Sequence, residues 1–200
     1  GAGLDAAFLQ EISVELPAGA TLRVSFLLGE GADAAASHEL LERYAEPAAV
    51  ERADAEVCRF WRDGVAGVRI ETPIKALDWM VNGWLPYQTL SCRIWGRSAL
   101  YQSGGAFGFR DQLQDAASLV LLWPELTREQ LVRNAAHQFP EGDVLHWWHP
   151  PLGRGLRTRF ADDLVWLPFL LCHYLETTGD FGVLDEVAGF VTARELPPGE

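Results

Sequence analysis

The spacing of apolar residues changes once along this chain, between Gly29 and Asp33, and this change limits the folds that the chain can adopt. Before it, residues 11–16 and 21–26 alternate apolar and polar side chains, which is the period of a half-buried β-strand. Turn-forming residues join the two stretches, so we predict an antiparallel hairpin over residues 8–28. A single hairpin is marginally stable in water, and we therefore expect this one to belong to a larger sheet.

After Asp33 the pattern is helical. A short helix is predicted up to Pro47 and a second over residues 48–61, followed by an extended linker that ends at Pro73. Further helices are predicted over about 74–95, 111–123, 127–138 and 161–178, with another beginning near residue 181. Thr127 with Gln130 three residues later has the form of a capping box, which predicts a helix start at that point.

Two long stretches between these helices, residues 103–110 and 142–159, are rich in glycine, aromatic and charged residues. We predict them to be loops. Long loops in a compact domain usually carry function, so the candidate functional residues are sought there.

Composition excludes several classes of function. The net charge of −12 disfavours nucleic-acid binding, and no apolar run reaches the roughly 18 residues that span a bilayer. The three cysteines are widely spaced, which favours reduced thiols in a cytoplasmic setting and argues against a zinc site. Seven of the eight tryptophans lie between Trp79 and Trp166, a density that is typical of carbohydrate-binding clefts, where sugar rings stack on indoles.

Three groups of residues carry candidate chemistry. Arg110 and Asp111 follow a glycine-rich stretch at a helix start. Asp162 and Asp163 open an apolar helix, so one can cap it while the other faces aromatic side chains that would keep a carboxyl protonated. Spacing alone does not choose between these two carboxylates, or between chemistry and a double helix cap. The third group suits sugar stacking or packing better than metal binding, and consists of His146, Trp147, Trp148 and His149.

Four motifs occur in order along the chain, at residues 91–98, 108–115, 142–151 and 162–168. Together they resemble glycoside hydrolase family 94, the inverting disaccharide phosphorylases. Within that family the sequence is most similar to the phosphorylase-like region of the cyclic β-1,2-glucan synthases. Residues 103–109 depart from the disaccharide phosphorylases, because this stretch is shorter and lacks their arginine before the Gly108–Asp111 motif.

The resemblance implies an α+β multidomain fragment. Residues 1–30 would be the C-terminal part of a β-sandwich, residues 31–72 a helical linker, and residues 73–200 the first half of an (α/α)6 barrel. Such a barrel has twelve helices and about five are predicted here, so the remainder is expected from the same or another chain, with a homodimer as one alternative.

The resemblance also implies an activity: cleavage of a β-glucoside by inorganic phosphate, with release of α-glucose 1-phosphate. Phosphate is then a co-substrate, and neither a metal nor another cofactor is needed. Asp162 corresponds to the general acid, and Arg97 to a phosphate contact. The residues expected to bind the β-glucan or oligosaccharide are Arg110, Asp111, Phe160, Trp147, Trp148 and His149.

By the same comparison, the 200-residue chain alone is expected to be inactive, since the family's other phosphate ligands belong to the second half of the barrel. The expected location is the cytoplasm, including the cytoplasmic part of an inner-membrane synthase. Two alternatives remain open. One is a carbohydrate-binding or assembly module without catalysis, and the other is an inverting (α/α)6 hydrolase that would use Asp111 as its second carboxylate.

Overall fold

The computed structural model describes residues 9–65, 67–97, 105–150 and 153–197. The chain divides into two compact units, Gly1–Cys58 and Arg59–Glu200. The three-part division at residues 30 and 72 stays a prediction, as do the β-sandwich and the (α/α)6 barrel. In the described part of the chain, no helix has both the length and the apolar character that crossing a membrane requires.

The first unit lacks the predicted hairpin. Within residues 9–32, all of which the structure describes, no strand is present. The turn does form, since the amide of Ala20 donates to the carbonyl of Pro17 at 3.0 Å. The apolar side chains of the two alternating stretches are exposed, with Leu22 at 56% and Phe26 at 62%. With no second layer packed on them in this unit, there is too little apolar burial to hold a two-stranded ladder.

Two helices follow, as predicted. Helix α1 covers Ala34–Arg43, and the Asp33 carboxylate caps it by accepting from the amide of Ala36. Helix α2 covers Pro47–Gly64. Proline is well tolerated at the first position of a helix, because an amide there would have no intrahelical partner.

The helix predicted over residues 74–95 is confirmed, with two widened stretches. It consists of α3 (Lys75–Trp79), a π-helical segment (Met80–Trp84), α4 (Leu85–Gln88) and a second π-helical segment (Thr89–Trp95). Pro86 lies inside this run. Proline has no amide hydrogen, and its ring crowds the carbonyl four residues earlier. For Pro86 that residue is Asn82, which lies in the first π-helical segment.

The remaining helices are α5 (Phe109–Ala117), α6 (Pro124–Ala135) and α7 (Asp163–Thr178), followed by a 3-10 turn at Phe181–Asp185. The capping box predicted at Thr127 is wrong, because α6 begins three residues earlier, at Pro124. The buried Thr127 hydroxyl instead donates to the carbonyl of Ala116 at 2.9 Å and ties α6 to the end of α5.

Most of the loop predicted over residues 142–159 is sheet, whereas the loop predicted over residues 103–110, of which residues 103–104 lie outside the described part of the chain, contributes one two-residue strand. Strands β1 (Phe107–Gly108), β2 (Val144–His149) and β3 (Arg154–Thr158) form an antiparallel sheet in the order β1-β2-β3. Leu145 pairs with Arg157 and Trp147 with Leu156, so His146 is the extra residue of a β-bulge. The bulge breaks the period of two, which is the signal by which a strand is recognised in a sequence.

The core of the second unit lies between this sheet and helices α5, α6 and α7. Gly155 allows close packing within the sheet, because a Cβ there would collide with the carbonyl oxygen of Trp147. The buried apolar residues of this core are Phe109, Leu113, Ala116, Val120, Leu131, Phe139, Val144, Leu145, Trp148, Leu170, Tyr174 and Val183.

Candidate active site

A cleft of about 300 Å³ lies where the start of α5, the bulge of β2 and the start of α7 meet. Four of the residues predicted from the sequence to form the site line it together, although they come from segments some 50 residues apart. The lining residues are Gly108, Arg110, Asp111, His146, Phe160 and Asp162. This cleft is the candidate active site.

The start of α5 is held in place by buried contacts. Phe109 is fully buried, and its carbonyl accepts a hydrogen bond of 2.8 Å from the side-chain amide of Asn134 on α6. Arg110 and Asp111 are the next two residues. Because the helix start is anchored to α6, both residues are presented to the cleft from a fixed backbone.

Asp162 is available for chemistry in the cleft. It stands at the N-cap position of α7, but its side chain accepts no capping hydrogen bond. Its Oδ2 lies 3.0 Å from Nη1 of Arg110, and both side chains are about half exposed. An exposed ion pair of this kind contributes about 0–1 kcal/mol, so a ligand can displace it at small cost. The Arg110 guanidinium also lies over the Trp166 ring, at 5.6 Å from the centroid.

Asp163 is buried directly behind this site. Its Oδ2 lies 2.7 Å from Nδ1 of His146, and its Oδ1 has no hydrogen-bond partner among the residues that the structure describes. Burial raises the pKa of the Asp163 carboxyl, and the bond to His146 opposes that effect. The interpretation of the two carboxylates as a double helix cap is therefore wrong, since Asp162 pairs with Arg110 and Asp163 with His146.

The other aromatic candidates lie on β2 and are not among the residues that line the cleft. Trp148 is 2% exposed and belongs to the core, where its ring stacks on His137 with centroids 3.9 Å apart. Trp147 is partly exposed and meets the ring of His149 edge-on at 5.4 Å. Trp148 thus offers no ring face to a sugar in this structure, and the sugar contacts of Trp147 and His149 stay predictions.

Arg97, the predicted phosphate contact, is 4% exposed and is also not among the residues that line the cleft. Its Nη1 donates to the carbonyl of Arg93 at 2.5 Å and its Nη2 to that of Ala106 at 2.7 Å. With the Gln112 amide oriented so that its oxygen faces Arg97, that oxygen lies 2.7 Å from Nε. These bonds fix the backbone that leads into β1.

Among the described residues, no group of three or more His, Cys, Asp or Glu side chains is close enough together to hold a metal ion. The polar side chains that line the cleft are two carboxylates, one guanidinium and one imidazole.

Comparison with known proteins assigns the segment that forms the cleft to a protein family. The catalytic-domain model of the glycosyl hydrolase 94 superfamily matches residues 60–195, which include every residue that lines the cleft. This chain belongs to that superfamily. The resemblance stated from the four sequence motifs is therefore confirmed.

Curated relatives of this glycosyl hydrolase 94 chain include a cyclic β-(1,2)-glucan synthase, NdvB, from Rhizobium meliloti, which is 44% identical over 98% of the chain. An N,N'-diacetylchitobiose phosphorylase from Vibrio proteolyticus is 27% identical over 90% of the chain, and a cellobionic acid phosphorylase from Neurospora crassa is 26% identical over 88%. The chain spans only 7%, 26% and 22% of these relatives' own lengths, respectively.

His146 is the cleft residue of this family member to which sequence reasoning gave no role of its own. The sequence places it among aromatic neighbours, a pattern that favours stacking for the whole group. Its side chain is 38% exposed, and its ring lies 4.8 Å from that of Phe160. The one available signal was its position within four residues of two tryptophans and another histidine. That position does not reveal the bulge, which turns this side chain toward α7.

Proposed function

We propose that this region, within its full-length protein, contributes to the inverting phosphorolysis of a β-glucoside, with β-1,2-glucan as the substrate and α-glucose 1-phosphate as the product. The observation that carries the proposal is the cleft that gathers Arg110, Asp111, Phe160 and Asp162. Membership of the glycosyl hydrolase 94 superfamily and the similarity to a β-(1,2)-glucan synthase support the choice of reaction and substrate.

In the proposed reaction, Asp162 in its protonated form donates a proton to the glycosidic oxygen as the bond from that oxygen to the anomeric carbon breaks. An oxygen of inorganic phosphate attacks the anomeric carbon from the opposite face, and a new carbon–oxygen bond forms with inverted configuration. The leaving sugar keeps the transferred proton. Because phosphate is itself the nucleophile, no second carboxylate is required to activate water.

The neighbours of Asp162 suit the binding of a sugar. Arg110 donates hydrogen bonds and the Asp111 carboxylate accepts them, so together they match hydroxyl groups on one glucose unit. Phe160 is about half exposed and offers an apolar ring face. When a sugar hydroxyl takes the place of Asp162 at Arg110, the carboxyl is released from its ion pair and can receive a proton.

The test is Asp162→Asn in the full-length protein, with Asp185→Asn as the matched control, because Asp185 is an exposed aspartate of the 3-10 turn outside the cleft. General acid catalysis contributes about 10²–10⁴-fold to rate. We expect kcat for phosphorolysis to fall at least about 10²-fold in Asp162→Asn, with saccharide KM nearly unchanged, and to stay at the wild-type value in the control. Phosphorolysis within a few-fold of wild type would remove Asp162 as the acid.

Hydrolysis is the second candidate reaction, and one observation favours it: Asp111 shares the cleft with Asp162. A carboxylate there could activate water in place of phosphate. Incubation of the full-length protein with β-1,2-gluco-oligosaccharides, with and without phosphate, separates the two reactions. Glucose 1-phosphate formed only with phosphate supports phosphorolysis, whereas glucose released without phosphate supports hydrolysis. Saccharide binding with neither product would support a binding module.

A further inference from the structure

The contact between His146 and Asp163 has no part in the reaction proposed above. It joins a β-bulge to the first residue of α7 across 17 positions of sequence. Bulges re-aim a side chain relative to its strand. Here the bulge directs an imidazole into the cleft while a buried carboxylate holds its inner nitrogen.

The contact determines which atom of the ring faces outward. The Asp163 carboxylate contacts Nδ1 at 2.7 Å, and the imidazole packs against the Phe160 ring at a tilt of 58°. Nε2 has no hydrogen-bond partner in the part of the chain that the structure describes, and His146 lines the cleft. With Nδ1 donating to the carboxylate, Nε2 of the neutral ring is an acceptor. The structure therefore presents an oriented hydrogen-bonding atom to any ligand in the cleft.

The charges around His146 identify the kind of ligand. Asp111 and Asp162 line the same cleft, and Asp163 lies directly behind the ring. Arg110 is the one cation among the residues that line the cleft, and it already pairs with Asp162. Carboxylates repel a phosphate dianion at this wall. A neutral hydroxyl group suits it, because a hydroxyl can both donate to and accept from an imidazole nitrogen.

We propose that His146 binds a hydroxyl group of the saccharide through Nε2, and that Asp163 is the positioning residue that holds the imidazole for this contact. The inference rests on the proposed function, since it assigns a sugar to the cleft, and it adds a saccharide-binding residue beside those indicated by the sequence motifs. One neutral hydrogen bond contributes about 0.5–1.5 kcal/mol, and about 1.4 kcal/mol corresponds to a tenfold change in Kd, so its loss should weaken saccharide binding about 2- to 12-fold.

The experiment uses the full-length protein and five variants: His146→Ala, His146→Gln, Asp163→Asn, the double variant His146→Ala/Asp163→Asn, and His173→Ala. His173 is an exposed histidine of α7 and serves as the matched control. Calorimetric titration with a β-1,2-gluco-oligosaccharide without phosphate gives Kd. Steady-state phosphorolysis gives kcat and separate KM values for saccharide and phosphate, and circular dichroism shows which variants are folded.

We expect His146→Ala to raise Kd and KM for the saccharide about 2- to 12-fold, with KM for phosphate within about 2-fold of wild type. His146→Gln, whose amide can still bond a hydroxyl, should recover part of the loss, and His173→Ala should match wild type. Because Asp163 acts through His146, Asp163→Asn should weaken saccharide binding in the wild type and have no further effect in the His146→Ala background.

Two results would overturn the proposal. Folded His146→Ala with wild-type Kd and KM for the saccharide would remove the sugar contact. If that variant does not fold, His146→Leu, which also has no hydrogen-bonding group in its side chain, is measured in its place and decides in the same way. Equal effects of Asp163→Asn in both backgrounds would remove its positioning role. Wild-type protein that binds saccharide but forms no glucose 1-phosphate contradicts the proposed function alone, and the Kd values still decide on His146. No saccharide binding by wild type contradicts both.

Discussion

The guanidinium of Arg157 donates two hydrogen bonds to the Asp143 carboxylate, from Nε to Oδ2 at 2.7 Å and from Nη2 to Oδ1 at 2.6 Å. Both side chains are buried, and the guanidinium lies 3.9 Å from the centroid of the Phe139 ring. Asp143 precedes β2 and Arg157 lies on β3, so the pair locks these strands together three residues before His146. The Asp143–Arg157 contact therefore holds in place the strand segment that carries the bulge at His146, which forms one side of the cleft.

Loss of one partner of this pair should be costly. Removing one side of a buried ion pair leaves the other charge uncompensated, which typically costs about 3–5 kcal/mol. We expect Asp143→Ala to lower the free energy of unfolding by about 3 kcal/mol, near the lower limit, because Glu141 still accepts from Nη2 at 2.8 Å. Urea unfolding followed by tryptophan fluorescence measures the loss.

Glu141→Ala is the matched control for that measurement. Glu141 contacts the same guanidinium, but its side chain is 42% exposed, so its removal should cost less than about 1 kcal/mol. Equal losses in the two variants would show that burial does not set the strength of the Asp143 contact.

The same pair should make stability depend on pH in the acid range. Hydrogen bonds from Arg157 hold the pKa of Asp143 below its ordinary value of 3.8. A carboxyl with a lowered folded-state pKa stabilises the fold fully above its unfolded pKa, and this stabilisation is lost as pH falls through the folded value. The stability difference between wild type and Asp143→Ala should hence be constant from pH 7 to 5 and shrink below about pH 4. If the stability difference stays constant down to pH 3, the stabilisation by Asp143 does not depend on its ionised carboxylate.

Arg97 should act on stability more than on phosphate binding. Its guanidinium is held by the carbonyls of Arg93 and Ala106, and lysine cannot reproduce that forked geometry. We expect Arg97→Lys to lower the free energy of unfolding by about 1–3 kcal/mol, as expected when buried hydrogen-bonding groups lose a partner, and to leave KM for phosphate within about 3-fold of wild type.

Phosphorolysis by the full-length Arg97→Lys variant at varied phosphate measures that KM, and thermal unfolding measures the stability. A tenfold rise in KM for phosphate without a loss of stability would instead support the direct phosphate contact that the sequence resemblance implies for Arg97.

Local sequence signals predicted the helices well and the strands poorly. The run 74–95 repeats apolar residues at helical spacing, and helix α7 is a long apolar run that ends before Gly179, so residues near in sequence suffice to identify both. Strand β2 could not be identified in this way, because its bulge at His146 interrupts the alternation and one of its two partners, β1, lies on a distant segment. Residues 21–26 show the opposite case: the alternation is present, but no layer packs on it within its unit and no strand forms.

For this protein, the sequence by itself determined the family and the identity of Arg110, Asp111, Phe160 and Asp162 as candidate site residues, because three of these lie in short contiguous motifs and Phe160 lies two residues before one. Only the tertiary structure decided that Asp162 faces the cleft while Asp163 is buried against His146, and that Trp148 belongs to the core. Adjacent residues of the same type look alike in a sequence. Their different surroundings are set by the packing of α7 against β2, which depends on side chains many positions away.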